Sequence, residues 1–374
     1  VAFARAYDLC QQLDDPVELF SLIVRLRLYK DTRGEIREAL ELAKQLLRIA
    51  RQVQEPGLLL QAHFQLGLSF AVHGEFANAH EHLEQAAVLY DSQHHRSHAF
   101  LYAIDPQIVS AGTSCLMLWF LGYPDQARQK SRETLKLARE LGHPPNTVMA
   151  LLLTSWFHIH SQEEQEALVG LTEGILLSTE YGIPTQLGFS KILQGRAWIG
   201  QHKTEEGVQQ IQEVLSFLDS IGGKIFQSAF LAYQAEGHLA LRQTEVGLSV
   251  LARALEFVEH SGERWHEAEL YRLRGELTLQ QEKQKTKIET GPPPLTSAPQ
   301  AEAEECFLKA IEVAQKQQAK SWELRAATSL ARLWQSQGKR ADAHKLLSDV
   351  YNWFTEGFDT KDLQEAKALL DELA

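Results

Sequence analysis

Apolar positions fall at helical spacing along almost the whole chain, and the spacing itself repeats. In the stretch 74–90, GEFANAHEHLEQAAVLY, residues Ala79, Leu83 and Ala86 stand at i, i+4 and i+7, on one stripe of a helix. The stripe returns at Ala39/Ala43/Leu46, Ala127/Ser131/Thr134, Ala167/Leu171/Gly174 and Gly207/Ile211/Val214. It continues at Gly247/Leu251/Ala254, Ala303/Phe307/Ala310 and Ala343/Leu347/Val350. Successive first members are 40, 48, 40, 40, 40, 56 and 40 residues apart. A second column lies 12 residues earlier (28 in the seventh unit): Arg27, Gly67, Cys115, Ser155, Gly195, Ala235, Gly275 and Ala331, small in all but the first. Three residues after it stand Lys30, Phe70, Leu118, His158, Trp198, His238, Thr278 and Trp334, mostly bulky. Small residues suit a close helix crossing and bulky ones fill the space between units. Each unit therefore reads as helix A, a turn and helix B, with breakers at Gly34, Gly74, Gly122 with Pro124, and Gly338. A fixed period of this length predicts an all-α solenoid of about eight stacked hairpins.

Departures from the period are local. Phe3 and Ala6 fall where an earlier stripe would lie, so residues 1–13 read as the B helix of a unit whose A helix is missing, and the chain as a piece of a longer protein. Eight extra residues fall within 87–114, in the region DSQHHRSHAFLYAIDPQIVS, and lengthen a loop and the start of the next A helix. The second insertion, EKQKTKIETGPPPLTSAPQ, makes 282–300 a flexible proline-rich loop inside a unit. Asp359 and Thr360 are placed to cap a last amphipathic helix, so 359–374 is expected to cover the open end of one continuous solenoid spanning 1–374.

Composition narrows the partners. With 44% hydrophobic and 23% charged residues, the sequence is that of a folded chain. A formal charge of −12 disfavours nucleic acid, which asks for a concentrated basic face. No apolar run reaches the ~20 residues a membrane span needs. Cys10, Cys115 and Cys306 are too scattered for a disulfide framework, which points to a reducing cytoplasm. No phosphate loop, nucleophile elbow, C-x-x-C or H-E-x-x-H occurs, so no enzymatic role and no cofactor is expected. His94, His95 and His98 are the one metal candidate, with His94 and His98 at i, i+4; a structural zinc site would need further ligands, and the competing reading is solvated loop histidines.

The small residue of helix A, the bulky residue three on and the Ala–aliphatic–Ala stripe of helix B resemble the tetratricopeptide repeat (TPR), here with a longer unit. More particular wording lies in GYPDQARQKSRETLKLARELGHP (122–144), GERWHEAELYRLRGEL (262–277), AKSWELRAATSLARLWQSQGKRADAHKLL (319–347) and WFTEGFDTKDLQEAKALLDEL (353–373). These stretches resemble the C-terminal repeat region of large bacterial multidomain proteins. Such proteins place a signal-transduction ATPase, often with a class III adenylate/guanylate cyclase domain, ahead of the repeats. The resemblance implies a right-handed superhelix whose chemistry would reside in other domains.

Carried over by register, the concave groove of such an array would be lined by Phe64, Leu68, Leu116, Trp119, Phe120, Trp156 and Ile159 in the first half. Arg196, Arg272, Arg325 and Arg332 would line the second. The apolar half would either form a binding surface or pack against the B helices, and the arginines would either bind or pair with Glu269, Glu276 and Glu323. The resemblance implies an interaction and regulatory module that holds a peptide, a partner protein or its own upstream ATPase. The alternative is a small-molecule sensor with an aromatic pocket around Phe64, Trp119, Phe120 and Trp156, for which a closed pocket rather than an open trough would speak.

Overall fold

The computed structural model describes residues 15–91, 104–286 and 297–374. Residues 1–14, the His94/His95/His98 cluster and residues 287–296 lie outside the described residues. Among those described, every regular element is a helix. The first two hairpins pair α1 (Pro16–Thr32) with α2 (Ile36–Val53) and α3 (Pro56–His73) with α4 (Phe76–Leu89). Next come α5 (Pro106–Phe120) with α6 (Pro124–Leu141), and α7 (Pro144–His160) with α8 (Glu164–Glu180). The fifth and sixth pair α9 (Pro184–Gly200) with α10 (Thr204–Ile221) and α11 (Gln227–Ala240) with α12 (Thr244–Ser261). The seventh and eighth pair α13 (Glu267–Thr286) with α14 (Ala298–Lys316) and α15 (Lys320–Ser336) with α16 (Arg340–Tyr351); α17 (Lys361–Leu373) stands alone at the end. The fold is a TPR-like solenoid.

Local chemistry sets the boundaries. Five A helices, and α6 among the B helices, open on proline, which lacks the N–H that the first turn leaves unpaired. Each A helix except α13 hands over to its B helix through one residue of positive φ: Gly34, Gly74, Gly122, Gln162, His202, Arg242 and Gly338, spaced in step with the repeat. Every member of the eight Ala/Gly–aliphatic–small stripes is buried. The small A-helix column also does its steric work: a Cβ on Gly195 would meet the carbonyl oxygen of Gly207 at 2.8 Å, which no side-chain rotation relieves. The exception, Arg27, is buried as an ion pair with Asp31 one turn on and donates to Ser69 at 3.2 Å. Trp198 and Trp334, expected in the core from the bulky column, are only half-buried. At α17 the Thr360 hydroxyl donates to Gly357 O rather than capping the helix.

The array does not stay open. Helix ends leave C-terminal carbonyls without intrahelical partners, and here donors four or five hairpins further along take them. Thr32 O at the end of α1 accepts from Lys224 N just ahead of α11 (2.7 Å), and Val72 O at the end of α3 accepts from Arg264 N just ahead of α13 (3.0 Å). Trp119 O at the end of α5 accepts from Ser321 Oγ at the start of α15. His160 O at the end of α7 accepts from Arg325, and Gln162 just beyond donates to Asp362 at the start of α17. Negative helix ends thus meet positive ones, a favourable arrangement of dipoles. The solenoid completes a superhelical turn in about five hairpins, and the second turn seats directly on the first. Glu356 adds to the seam by accepting from Asp125 N and Gln126 N at the start of α6 (2.9 and 3.1 Å).

Candidate functional site

The groove residues expected from register divide into two groups. Phe64, Leu116, Trp119, Phe120 and Trp156 are buried, with Leu68 packed half-buried against them. Of the two readings open for this apolar half, a binding surface or packing inside the fold, the burial matches packing. The reason is the seam: Trp119 stacks edge-on against Trp322 of the second turn (5.1 Å), Phe120 lies tilted against the same Trp322 (5.7 Å), and Trp156 meets Trp265 (4.7 Å). Trp156 Nε1 donates to the hydroxyl of Tyr233, 77 residues away, at 2.6 Å. The inward faces of the first turn therefore find apolar cover within the chain itself.

Ile159, Arg196, Arg272, Arg325 and Arg332 come together instead around an axial cavity of about 160 Å³. Ile159, His160, Gln162 and Arg196 come from the first turn, and α11, α13, α15 and α17 supply the rest of the wall. Four guanidiniums face four carboxylates there: Glu236, Glu269, Asp362 and Glu365. Arg196 donates to Glu236 through Nη2, with Nε at ion-pair distance (2.7 Å each), and Arg272 Nε and Nη2 bind Glu269 (2.8 and 2.6 Å). Arg325 Nε and Nη2 bind Asp362 (2.9 Å each), while Arg332 makes one contact with Glu365 at 3.1 Å. Of the partners weighed from sequence, Glu269 and Glu276 pair with Arg272, whereas Glu323 pairs with Lys320. Arg325 also lies 5.1 Å from the ring centres of both Trp119 and Trp322, joining the sealed core to the cavity wall.

Two buried imidazoles complete the wall. Burial drives His160 well below the usual histidine range and holds His266 down at about 3, so both are neutral near pH 7. Neither nitrogen of His266 finds a hydrogen-bond partner among the described residues, nor does His160 Nε2 or Trp322 Nε1. Buried polar atoms are almost always satisfied, so these nitrogens leave hydrogen bonds for water or a ligand to make. Nearby, Gln162 holds a left-handed backbone (φ 56°) that favours glycine while its amide reaches Asp362 at 2.7 Å.

Register reasoning missed His160, Tyr233, His266, Trp322, Asp362 and Glu365. His160 adjoins Ile159 in sequence and carried a usable signal; the others reach the cavity only because one turn seats on the next. Among the described residues no group of three or more His, Cys, Asp or Glu is placed to hold a metal ion. Cys115 and Cys306 are free thiols, both buried. No described helix is long and apolar enough to cross a membrane.

The arrangement defines a class: a helical-hairpin superhelix closed on itself around a polar cavity. No protein-family model matches the chain, and no curated protein matches it by sequence. Solved structures align along most of the chain. Human IFIT1, solved as a dimer with m7Gppp-AAAA, aligns at TM-score 0.50 and 15% identity over 94% of this chain and 71% of its own. The apo form of RapI aligns at TM-score 0.49 and 12% identity over 84% of this chain and 99% of its own. A signal transduction ATPase with numerous domains from Pyrococcus horikoshii, bearing a tetratricopeptide repeat sensor, aligns at TM-score 0.44 and 15% identity. That alignment takes in 99% of this chain, which spans 54% of the ATPase.

Proposed function

We propose that the chain is the sensor module of a regulatory protein and that its axial cavity takes a small molecule. One observation carries the reading: a partly enclosed polar cavity shared by two superhelical turns, with buried imidazole and indole nitrogens left without partners. An occupant would touch α7 and α9 on one side of the seam and α15 and α17 on the other, so binding would tighten the superhelix. The tightened shape would act on a partner protein or peptide, or on an ATPase or nucleotide-cyclase portion of the same cytoplasmic bacterial protein. The chain itself acts by binding, as one solenoid, and does no chemistry. The peptide-in-groove version of this reading is the weaker one, since the aromatic half of the groove is filled by the chain.

The test is thermal unfolding and amide hydrogen exchange with and without the low-molecular-weight fraction of a bacterial extract. A rise in Tm, with added protection at the C-terminal end of α7 and in α15 and α17, supports the reading. An extract that changes neither overturns it.

A further inference from the structure

The cavity wall also constrains what enters. The lining residues alone carry four guanidiniums and four carboxylates, which cancel, with Glu164 and Glu276 behind them against Arg196 and Arg272. A lone anion or cation would add an unbalanced charge to that lining, which is unfavourable where the wall is buried, at Arg196, Glu269 and Arg325. The pairs also have free ends. Among the described residues Arg325 Nη1 finds no acceptor, and Arg196 Nη1 reaches only Glu164, at 3.9 Å. Glu365 is held by one nitrogen of Arg332 alone. Free donors and free acceptors of full charge therefore belong to residues that line the same small space. The remaining wall, at Ile159, Ala232, Leu273 and Leu324, is aliphatic.

We infer that the occupant is a small zwitterion of the α-amino-acid kind, with its carboxylate among the Arg196 and Arg325 Nη1 ends, its ammonium at the carboxylates, and an aliphatic side chain against Ile159, Ala232, Leu273 and Leu324. Insertion lengthens the network from four ion pairs to five and leaves its net charge unchanged. The neutral His266, which offers one donor and one acceptor, and the Trp322 N–H supply the remaining hydrogen bonds. This identification rests on the cavity being the sensory site, as proposed above.

The experiment measures thermal unfolding of the chain with each common α-amino acid at millimolar concentration, followed by calorimetry on the best one. Its desamino and decarboxy analogues, each with a single charge, run beside it; for L-leucine these are 4-methylpentanoate and 3-methylbutylamine. At least one amino acid should raise Tm by about 3 °C or more at saturation, and both analogues should fail to do so. Glu365→Gln, at the half-exposed rim, should weaken binding at least several-fold with the unliganded Tm unchanged. The paired Arg196→Gln/Glu236→Gln variant, which removes both charges together, should weaken it at least tenfold with helical circular dichroism kept. Equal stabilisation by a single-charge analogue, or full affinity in Glu365→Gln, overturns the inference. If no amino acid acts but the low-molecular-weight extract does, the zwitterion is wrong and the sensory cavity stands; if neither acts, both fall.

Discussion

Two stretches of the same inward-facing register meet different fates. On α3, α5 and α7 the positions hold Phe64, Leu116, Trp119, Phe120 and Trp156, and the axis there is sealed. On α9, α13 and α15 they hold Arg196, Arg272, Arg325 and Arg332, and the axis keeps a cavity. Winding brings both stretches against another turn of the chain; side-chain chemistry decides the outcome. Apolar faces gain by excluding water, on the order of 25 cal/mol for each Å² buried, and close until they touch. Guanidiniums instead settle on wall carboxylates and keep their remaining donors toward polar space. A register rule identifies which residues look inward, and only the pitch of the superhelix decides whether inward means groove, core or chamber.

The sharpest way to break the comparison is to truncate the sealed half. Trp119→Ala and Trp156→Ala should each lower unfolding free energy by about 3–5 kcal/mol, as large aromatic truncations in a packed core do. Denaturant midpoints measure this. A loss below about 1 kcal/mol in both would mean that these rings are a binding surface after all.

Much of the fold is legible in the chain's local pattern. The period, the hairpin pairing, the buried stripes and the close crossing at Gly195 all follow from helical spacing, because neighbouring hairpins touch only each other. The inward orientation of Ile159, Arg196, Arg272, Arg325 and Arg332 has the same local origin. The seam is not legible. Its contacts, such as Trp119 with Trp322, join residues some 200 apart through a pitch that no local pattern encodes. Register alone therefore leaves the aromatic half open, offers Arg325 Glu323 instead of Asp362, and passes over His266 and Trp322.

A second prediction compares buried carboxylates with and without a guanidinium. Burial pushes Glu269 up, but the Arg272 guanidinium beside it outweighs that and leaves it below its usual range. Glu263 lies between α12 and α13 at the start of α11, with only N–H and O–H donors from Phe226 and Ser228; burial wins there, helped by Asp31, and the carboxyl is raised from 4.5 to about 7. Since its folded value lies above the unfolded one, the unfolded chain releases this proton first as pH rises. Glu263 therefore removes roughly 3 kcal/mol of stability between about pH 4.5 and 7. His160 and His266 slope the other way over much of that window, because their depressed values favour the folded state only once the unfolded imidazoles are neutral. The difference between parent and Glu263→Gln curves isolates the carboxyl: it should change by up to about 3 kcal/mol across the window, and a flat difference would refute the assignment.

The finest test lies within α15, where Arg325 and Arg332 are seven residues apart and share a face. Arg325 sits between Trp119 and Trp322, binds Asp362 through Nε and Nη2, and takes the terminal carbonyl of α7, with its side chain only 14% exposed. Removing it strands a buried carboxylate and uncaps a helix end, so Arg325→Ala should be destabilising by about 3 kcal/mol. Arg332 makes one bond to Glu365 with its side chain 51% exposed. A single solvated pair contributes little, so Arg332→Ala should stay within about 0.5 kcal/mol of the parent. Identical charge, helix and face leave burial at the seam as the only difference between the two positions. Equal denaturant midpoints for the two variants would mean that the seam does not close around Arg325, and the cavity would then be an open end of the groove.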